Sequence, residues 1–173
     1  MPTPIEPTIM YERLGQLLTA MAATVKRVNN LNGGGGYENW TIVQYLVNLT
    51  SIVDYEYQRE LQVDRMRVDI AFNMANQSLR TPLILTEWKC NPDANGLSAG
   101  CGQDIDKFTD VLNKIQIGQV RPLPLVIGIG PPHASFPGYR AANISDINMY
   151  LYTSTADTWK ARGVFDKTWY SQI

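Results

Sequence analysis

The sequence has few of the residues on which several kinds of site depend. Its 173 residues include two cysteines, Cys90 and Cys101, and one histidine, His133. Two cysteines cannot form a disulfide framework, and this set leaves little for a zinc site with cysteine and histidine ligands. We therefore expect two free thiols, and no motif supports a serine or cysteine nucleophile paired with the one histidine.

Charged residues are scarce as well. They make up 18% of the chain, and the formal net charge is −1. The chain therefore lacks the overall basic character of proteins that bind nucleic acid mainly by neutralising phosphates. Any nucleic-acid site must be a local patch or must be completed by a second subunit.

No apolar run is long enough to cross a bilayer, since the longest covers only residues 123–129. The polar, proline-containing start lacks the charged and apolar regions of a signal peptide. We expect a soluble cytoplasmic protein without membrane contact. A domain delivered into a host cell by a secretion system would have the same features.

The length and the 45% apolar content favour one domain over residues 1–173. Apolar spacing predicts an amphipathic helix from just after Pro7 to about Asn30. "NNLNGGGGY" then predicts a loop, because four consecutive glycines are too costly in entropy for a helix or strand interior. "ENWTIVQYLVNL" predicts a second helix, apolar on most sides and largely buried, with Glu38 on the face of Ile42, Tyr45 and Leu49.

From Asp54 the apolar period changes to two, which is typical of strands. "YEYQRELQV", "RMRVDIAFN" and "PLILTEWK" predict three consecutive strands of an antiparallel meander. "NPDANGLSAGCG" predicts a loop, and the apolar spacing from Ile105 predicts a third helix with aspartates in its first turn. "PLPLVIGIG" predicts a strand, "PPHASFPGYR" a loop, "INMYLYTS" another strand, and a short helical tail follows from Ala156. The predicted fold class is α/β.

Three charged residues lie within the apolar second and third strands. In "VDIAF", alternation puts Asp69 on the face opposite to Val68, Ile70 and Phe72. A charge on an inner face must be paired or must bind a metal. In "LILTEWK", the same rule puts Glu87 and Lys89 on one face, with Trp88 opposite.

If the two strands are neighbours, Asp69, Glu87 and Lys89 can converge at one side of the sheet. Two close carboxylates repel each other unless a cation lies between them, and oxygen ligands suit Mg²⁺ or Mn²⁺. An ammonium group beside such a metal can orient or deprotonate the attacking water, or stabilise charge on a phosphate. Glu-x-Lys alone occurs by chance roughly 0.5 times in a chain of this length, so the prediction rests on the context of the motif.

This arrangement resembles the PD-(D/E)xK superfamily, the restriction-endonuclease-like nucleases. The resemblance covers residues 37 to about 130. It implies an α/β core of helix, three-stranded antiparallel meander, helix and strand, to which this chain adds an N-terminal helix and a C-terminal strand and helix.

The resemblance also implies roles for individual residues. Asp69 in "RVDIAF" matches the first metal-binding acid, although Val68 stands where the name-giving proline would be. Glu87 and Lys89 in "LTEWK" match the second acid and the catalytic lysine. Glu38 matches the helix glutamate that in many members joins the metal site or holds its water.

Three further residues are weaker candidates. Gln103 and Lys107 fall on the following helix, where many members carry a glutamine or a basic residue near the scissile phosphate. Arg67 belongs, with Arg59 and Arg65, to the densest basic cluster of the chain and is a candidate for contacts with phosphates.

Each assignment has a structural alternative. Glu38 can simply favour the positive end of a helix. Asp69 can form a cross-strand ion pair with Lys89, which would leave Glu87 as a solvated strand end. Gln103 and Lys107 can lie on an exposed helix face.

The expected function is that of a Mg²⁺- or Mn²⁺-dependent endonuclease. The substrate is nucleic acid, with DNA favoured over RNA because more of the family cuts DNA, and we expect a homodimer or a partner subunit to help grip it. One alternative is a non-catalytic nucleic-acid- or protein-binding module of the same fold. Another is a toxin or effector nuclease domain that acts on host DNA or transfer RNA.

Overall fold

Two helices precede the sheet. In this computed structural model, which describes residues 1–30, 37–63, 65–114, 122–131, 139–144 and 147–152, α1 spans Pro7–Asn30 and α2 spans Glu38–Thr50. Pro7 occupies the first helical position, where its missing N–H is not needed. Both helices confirm the predicted ones, and glycine-rich residues 31–36 lie outside the described residues.

Six strands and a third helix follow. Their bounds are β1 Tyr57–Val63, β2 Met66–Phe72, β3 Ile84–Cys90, α3 Ala94–Lys114, β4 Leu123–Gly130, β5 Tyr139–Ile144 and β6 Ile147–Tyr152. They form one sheet in the order β1-β2-β3-β4-β6-β5, in which β3 and β4 are parallel and all other neighbours are antiparallel. The α/β class and the antiparallel meander β1–β3 are therefore confirmed, and α3 is the crossover that makes β4 parallel to β3.

Helices cover both faces of the central strands. One buried cluster joins α1 and α2 to sheet residues that include Ile70 and Trp88. A second joins α3 to the opposite face through Leu97, Phe108 and Leu85. Because both faces are covered, every residue of β4 is buried, as in the inner strands of other α/β sheets.

The start of α3 differs from the prediction. The sequence "NPDANGLSAGCG" predicted a loop, but the helix begins at Ala94. Asp93 caps it, since its Oδ2 accepts a hydrogen bond from the Gly96 N–H at 2.5 Å and its carbonyl accepts one from Leu97 N–H at 2.9 Å. The first turn contains no acidic residue, so the predicted aspartates in that turn are also wrong. An N-cap and apolar contacts outweigh the low helix propensity of this segment.

Strand β5 was not predicted. Its residues Tyr139 and Arg140 belong to the segment expected to be a loop, of which residues 132–138 lie outside the described part. "YRAANI" has no clear alternation, so its strand conformation depends on pairing with β6. Strand β6 confirms the predicted last strand, while the expected helical tail from Ala156 lies outside the described residues.

Helix α2 is less buried than predicted. The residues Thr41, Ile42, Tyr45, Leu46 and Leu49 form its buried face. Val43 and Val47, on the other side, are 41% and 60% exposed. The expectation that α2 is largely buried is therefore wrong for that side, although the predicted face of Glu38 is the inner one.

Within the described part of the chain, no helix is both long and apolar enough to cross a bilayer. Cys90 and Cys101 are free thiols.

Asn73 joins the N-terminal segment to the end of the β2–β3 pair. It is fully buried with φ 61°, in the left-handed region. Its Oδ1 accepts a hydrogen bond from Ile5 N–H at 2.7 Å, and its Nδ2 donates to the carbonyls of Ile5 and Pro82, both at 2.8 Å. One amide side chain thus satisfies three buried backbone groups from two segments that are distant in sequence.

We expect Asn73→Ala to lower the free energy of unfolding by about 3 kcal/mol or more. The substitution leaves three buried backbone groups without partners. It also places alanine in the left-handed region, where its Cβ atom causes strain and no side-chain hydrogen bond compensates. Asn73→Gly should cost about 1 kcal/mol less, since glycine adopts that region without strain. Asn76→Ala, in the exposed turn nearby, is the control and should stay within about 0.5 kcal/mol of wild type. Equal urea midpoints for Asn73→Ala and Asn76→Ala would contradict this account.

Candidate functional site

The candidate site lies where the pairing of β2 with β3 stops. The ladder runs from Phe72–Ile84 to Ile70–Thr86, and the next position in that register would place Asp69 opposite Glu87. Instead, Asp69 Oδ2 accepts a hydrogen bond from the backbone N–H of Trp88 at 2.8 Å. A carboxylate thus takes the place of a strand carbonyl, and the ladder ends at the two acidic residues.

The neighbouring strand β1 is irregular opposite Asp69. Glu60, which the β1–β2 register sets opposite Asp69, has φ 53°, an uncommon value for a glutamate. Val68 packs in the cluster on the α3 side, whereas Ile70 and Phe72 pack on the α1–α2 side. The prediction that these three residues share a face is therefore wrong at Val68, because strict alternation fails where the strand is distorted.

Strand β3 keeps its alternation through the site. Trp88 is fully buried on the α1–α2 side, with its ring centroid 5.2 Å from that of Tyr45, and its indole N–H donates to Thr86 Oγ1 at 3.1 Å. Glu87 and Lys89 contact side chains of α3. The predicted placement of these two residues on one face, opposite Trp88, is confirmed.

Glu87 is 2% exposed and therefore cannot be a solvated strand end. Lys107 Nζ donates a hydrogen bond to Glu87 Oε1. Burial, and after it the charge of Asp69, raise the pKa of Glu87 to about 8, although Lys107 acts in the opposite direction. A carboxyl group with this pKa binds a proton readily near neutral pH unless a cation approaches it.

Lys89 lies between two carboxylates. Its Nζ is 3.5 Å from Glu38 Oε2 and 3.4 Å from Asp104 Oδ2. Burial lowers the pKa of Lys89, but the charges of Asp104, Glu38 and Asp69 outweigh it and leave the pKa above its ordinary value. The Lys89 ammonium thus stays protonated, and its ion pairs within the described residues are with Glu38 and Asp104, not with Asp69 as the structural alternative required.

Glu38 reaches the site from the first turn of α2. Burial raises the pKa of Glu38, and the charge of Lys89 lowers it only in part. Its carboxylate also lies 3.5 Å from Lys89 Nζ, a contact that an interaction with the helix dipole does not require. The half-buried position beside Lys89 therefore indicates a contribution to the site beyond that dipole.

Asp104 is the site residue that the sequence analysis missed. It is 7% exposed, and its Oδ2, despite its distance of 3.4 Å to Lys89 Nζ, makes no hydrogen bond to any described residue. Burial raises its pKa, and Lys89 and Lys107 lower it. A signal was available, because Cys101 and Phe108, three residues before and four after, are apolar and place Asp104 on the inner face of α3.

The weaker candidates have different outcomes. Lys107 contacts Glu87, so the exposed-face alternative is wrong for it. Gln103 lies on the exposed side of α3, while the next residue, Asp104, takes the inward position. Arg67 lies at the surface, where its guanidinium is 3.4 Å from Glu60 Oε2 and both side chains are more than half exposed.

No group of three or more histidine, cysteine, aspartate and glutamate side chains among the described residues is arranged to hold a metal ion. No family model, curated protein or solved structure matches this chain. The chemistry of the site is therefore defined by its own residues. These are an ammonium group between two carboxylates and, on the same strand face, a buried glutamate paired with a second lysine.

The pKa of Glu87 predicts how stability depends on pH when no divalent cation is present. Between about 4.5, the ordinary value, and about 8, the folded protein keeps a proton that the unfolded chain has lost. The free energy of unfolding therefore falls as pH rises through this window, by at most about 1.4 kcal/mol per pH unit for this group, and levels off above it.

We expect Glu87→Gln to remove this slope, because glutamine does not titrate. Urea denaturation in EDTA from pH 4.5 to 9 measures the effect as the difference between variant and wild type at each pH. Glu60→Gln, at a side chain that is 55% exposed, is the matched control and should follow wild type. Parallel curves for Glu87→Gln and wild type would show that Glu87 titrates normally.

Proposed function

We propose that this protein is a Mg²⁺- or Mn²⁺-dependent endonuclease with a restriction-endonuclease-like core, which hydrolyses phosphodiester bonds in DNA rather than RNA. The observation that carries the proposal is the position of Lys89, whose ammonium lies between Glu38 and Asp104 on the strand face that also presents Glu87. The element order of helix, antiparallel meander, helix and parallel strand supports it. DNA is preferred because more of the resembling family cuts DNA.

The acidic residues suit a hard divalent cation. Asp69 and Glu87 would hold it, with Glu38 contributing directly or through water. Mg²⁺ is usually bound by one or two carboxylates, with waters and substrate phosphates as its other ligands, so a cluster of three side chains is not required. Burial and the charge of Asp69 disfavour the ionised form of Glu87, and a bound cation would stabilise that form. Once bound, the cation would polarise the phosphate and lower the pKa of a coordinated water.

Lys107 has a distinct part in this proposal. Its ammonium group contacts Glu87 Oε1 and offsets part of the effect of burial, which favours the protonated carboxyl group when no metal is bound. Glu87 would ligate a cation through Oε2, or through both oxygens if Lys107 moved away from Oε1. An ammonium group that moved away would be available to a phosphate oxygen of the substrate.

Lys89 would act as a donor and not as a base. Because the surrounding carboxylates raise its pKa, the ammonium is protonated at neutral pH and cannot accept a proton from water. It can donate hydrogen bonds to the attacking water and to a phosphate oxygen, which orients the first and stabilises the charge that develops on the second. Glu38, 3.5 Å from Lys89 Nζ, would accept a hydrogen bond from that water.

Some of the contacts with a DNA duplex would come from residues outside the acidic and lysine cluster. Arg59 is exposed at β1, and its guanidinium donates to Asn39 Oδ1 at 3.3 Å, one residue from Glu38. Arg67 is exposed on the neighbouring strand. Two arginines on a chain of net charge −1 offer few phosphate contacts, so we propose that a second copy or a partner subunit completes the surface.

One observation favours a non-catalytic binding module of the same fold. The Lys107–Glu87 contact neutralises the buried carboxylate without any metal, which is what a structural ion pair does. In such a module, the cluster would stabilise the meeting of α3 and β3 and would bind no cation.

Cleavage of supercoiled plasmid and of total RNA in Mg²⁺, Mn²⁺ or EDTA separates the two functions. We expect nicking or linearisation of plasmid in either metal and none in EDTA. Glu87→Gln and Lys89→Ala should reduce the rate by about 10²-fold or more, because each removes charge stabilisation that the reaction needs. Glu60→Gln breaks an exposed ion pair and serves as the folded control with little effect.

Cleavage in EDTA, or wild-type rates for Glu87→Gln and Lys89→Ala, would contradict the proposed site. A folded wild type that binds DNA but cuts neither substrate in either metal would identify the binding module instead.

A further inference from the structure

The side chain of Lys89 lies directly against the backbone of α3 at Gly100. A Cβ atom added at Gly100 would stand 2.9 Å from Cδ of Lys89, 3.2 Å from Cε and 3.3 Å from Cγ. Real Cβ atoms essentially never approach another atom within 3.0 Å, so any side chain at Gly100 would have to displace the lysine stem.

A second glycine on the same helix provides a direct comparison. A Cβ atom added at Gly102 would have no atom within 4 Å. Glycine is less favourable than alanine in a helix interior, so both residues weaken α3. Of these two glycines, Gly100 is the one at which an added side chain would meet a neighbouring residue.

Asp104 holds the other end of the same side chain. It follows Gly100 by four residues, so both lie on one face of α3. Gly100 faces the stem of Lys89, and Asp104 Oδ2 lies 3.4 Å from its Nζ, on the ammonium that Glu38 also approaches. Asp104 is buried, and its Oδ2, which has no hydrogen bond to a described residue, has the Lys89 ammonium as its ion-pair partner.

We propose that Gly100 and Asp104 are positioning residues for Lys89, with Gly100 leaving the space in which the lysine stem lies and Asp104 holding its ammonium group opposite Glu38. The placement of Lys89 follows from the contacts themselves. Its catalytic consequence rests on the proposed function.

The proposal has a physical basis in the flexibility of lysine. Its four-carbon stem has several rotatable bonds, and an unsupported ammonium group samples many positions. A displacement of about 1 Å of a reacting group can cost about 10²-fold in rate. A groove for the stem and a carboxylate on each side of the ammonium reduce this freedom before substrate binds.

Gly100→Ala, Asp104→Asn and the control Gly102→Ala test the placement without any substrate. Limited acylation with acetic anhydride, followed by mass spectrometry of peptides, measures the reactivity of Lys89 relative to the other lysines. We expect Gly100→Ala and Asp104→Asn to increase the relative acylation of Lys89 several-fold, because the amine leaves its half-buried position. Gly102→Ala should match wild type and raise the melting temperature by about 3 °C.

Plasmid cleavage by the same variants tests the catalytic consequence. Gly100→Ala and Asp104→Asn should lower kcat by about 10- to 100-fold with little change in KM, since they misplace a group that acts in the transition state. Gly102→Ala should leave both constants unchanged. Asp104→Asn preserves side-chain shape, so it carries the test if Gly100→Ala does not fold.

The two hypotheses fail in different ways. Lys89 acylation in Gly100→Ala and Asp104→Asn that equals the acylation in Gly102→Ala would overturn the positioning role, even if wild type cleaves DNA through Lys89. Increased acylation in both variants of a protein that cleaves no nucleic acid would uphold the placement and reject the nuclease.

Discussion

The hydrogen bond from the Trp88 N–H to Asp69 Oδ2 is the interaction on which the site depends. A backbone donor in an inner strand needs an acceptor, and here a carboxylate supplies it. The β2–β3 ladder consequently stops after three paired positions. The end of that ladder is where α2, from one face of the sheet, and α3, from the other, can both reach β3, so that Glu38 and Asp104 meet at Lys89.

The charges of the acidic and lysine side chains determine the electrostatics of the site. The described cluster contains more acidic groups than lysines, and burial raises the pKa of Glu38, Glu87 and Asp104 alike. Each ammonium group therefore stabilises carboxylates that would otherwise take up protons. Since the lysines compensate the acids only in part, the cluster keeps acidic groups that further positive charge would stabilise.

The sequence predicted the elements better than it predicted the site. Apolar periodicity located α1, α2 and the meander, and a continuous apolar run located β4. It failed at the start of α3, because the helix begins at the N-cap residue Asp93 and not at the first periodic apolar residue. It also failed at β5, whose strand conformation depends on pairing with β6. For the site, alternation in β3 placed Glu87 and Lys89 correctly. Asp104 was missed because helix contacts were read from apolar residues alone, and the partners of Lys107 and Lys89 could not be read because they depend on how α3 lies across the sheet.

The three hydrogen bonds of Asn73 have a consequence for this arrangement. They join β2 to the start of β3 at one end of the short ladder, and the acidic residues lie at the other end, four residues away along β2 or about 13 Å. The short ladder is therefore held at both ends, by the side chain of Asn73 at one and by the hydrogen bond between Asp69 and Trp88 at the other. Asn73, which lies outside the acidic cluster, thus helps to fix the strand positions from which Asp69 and Glu87 project.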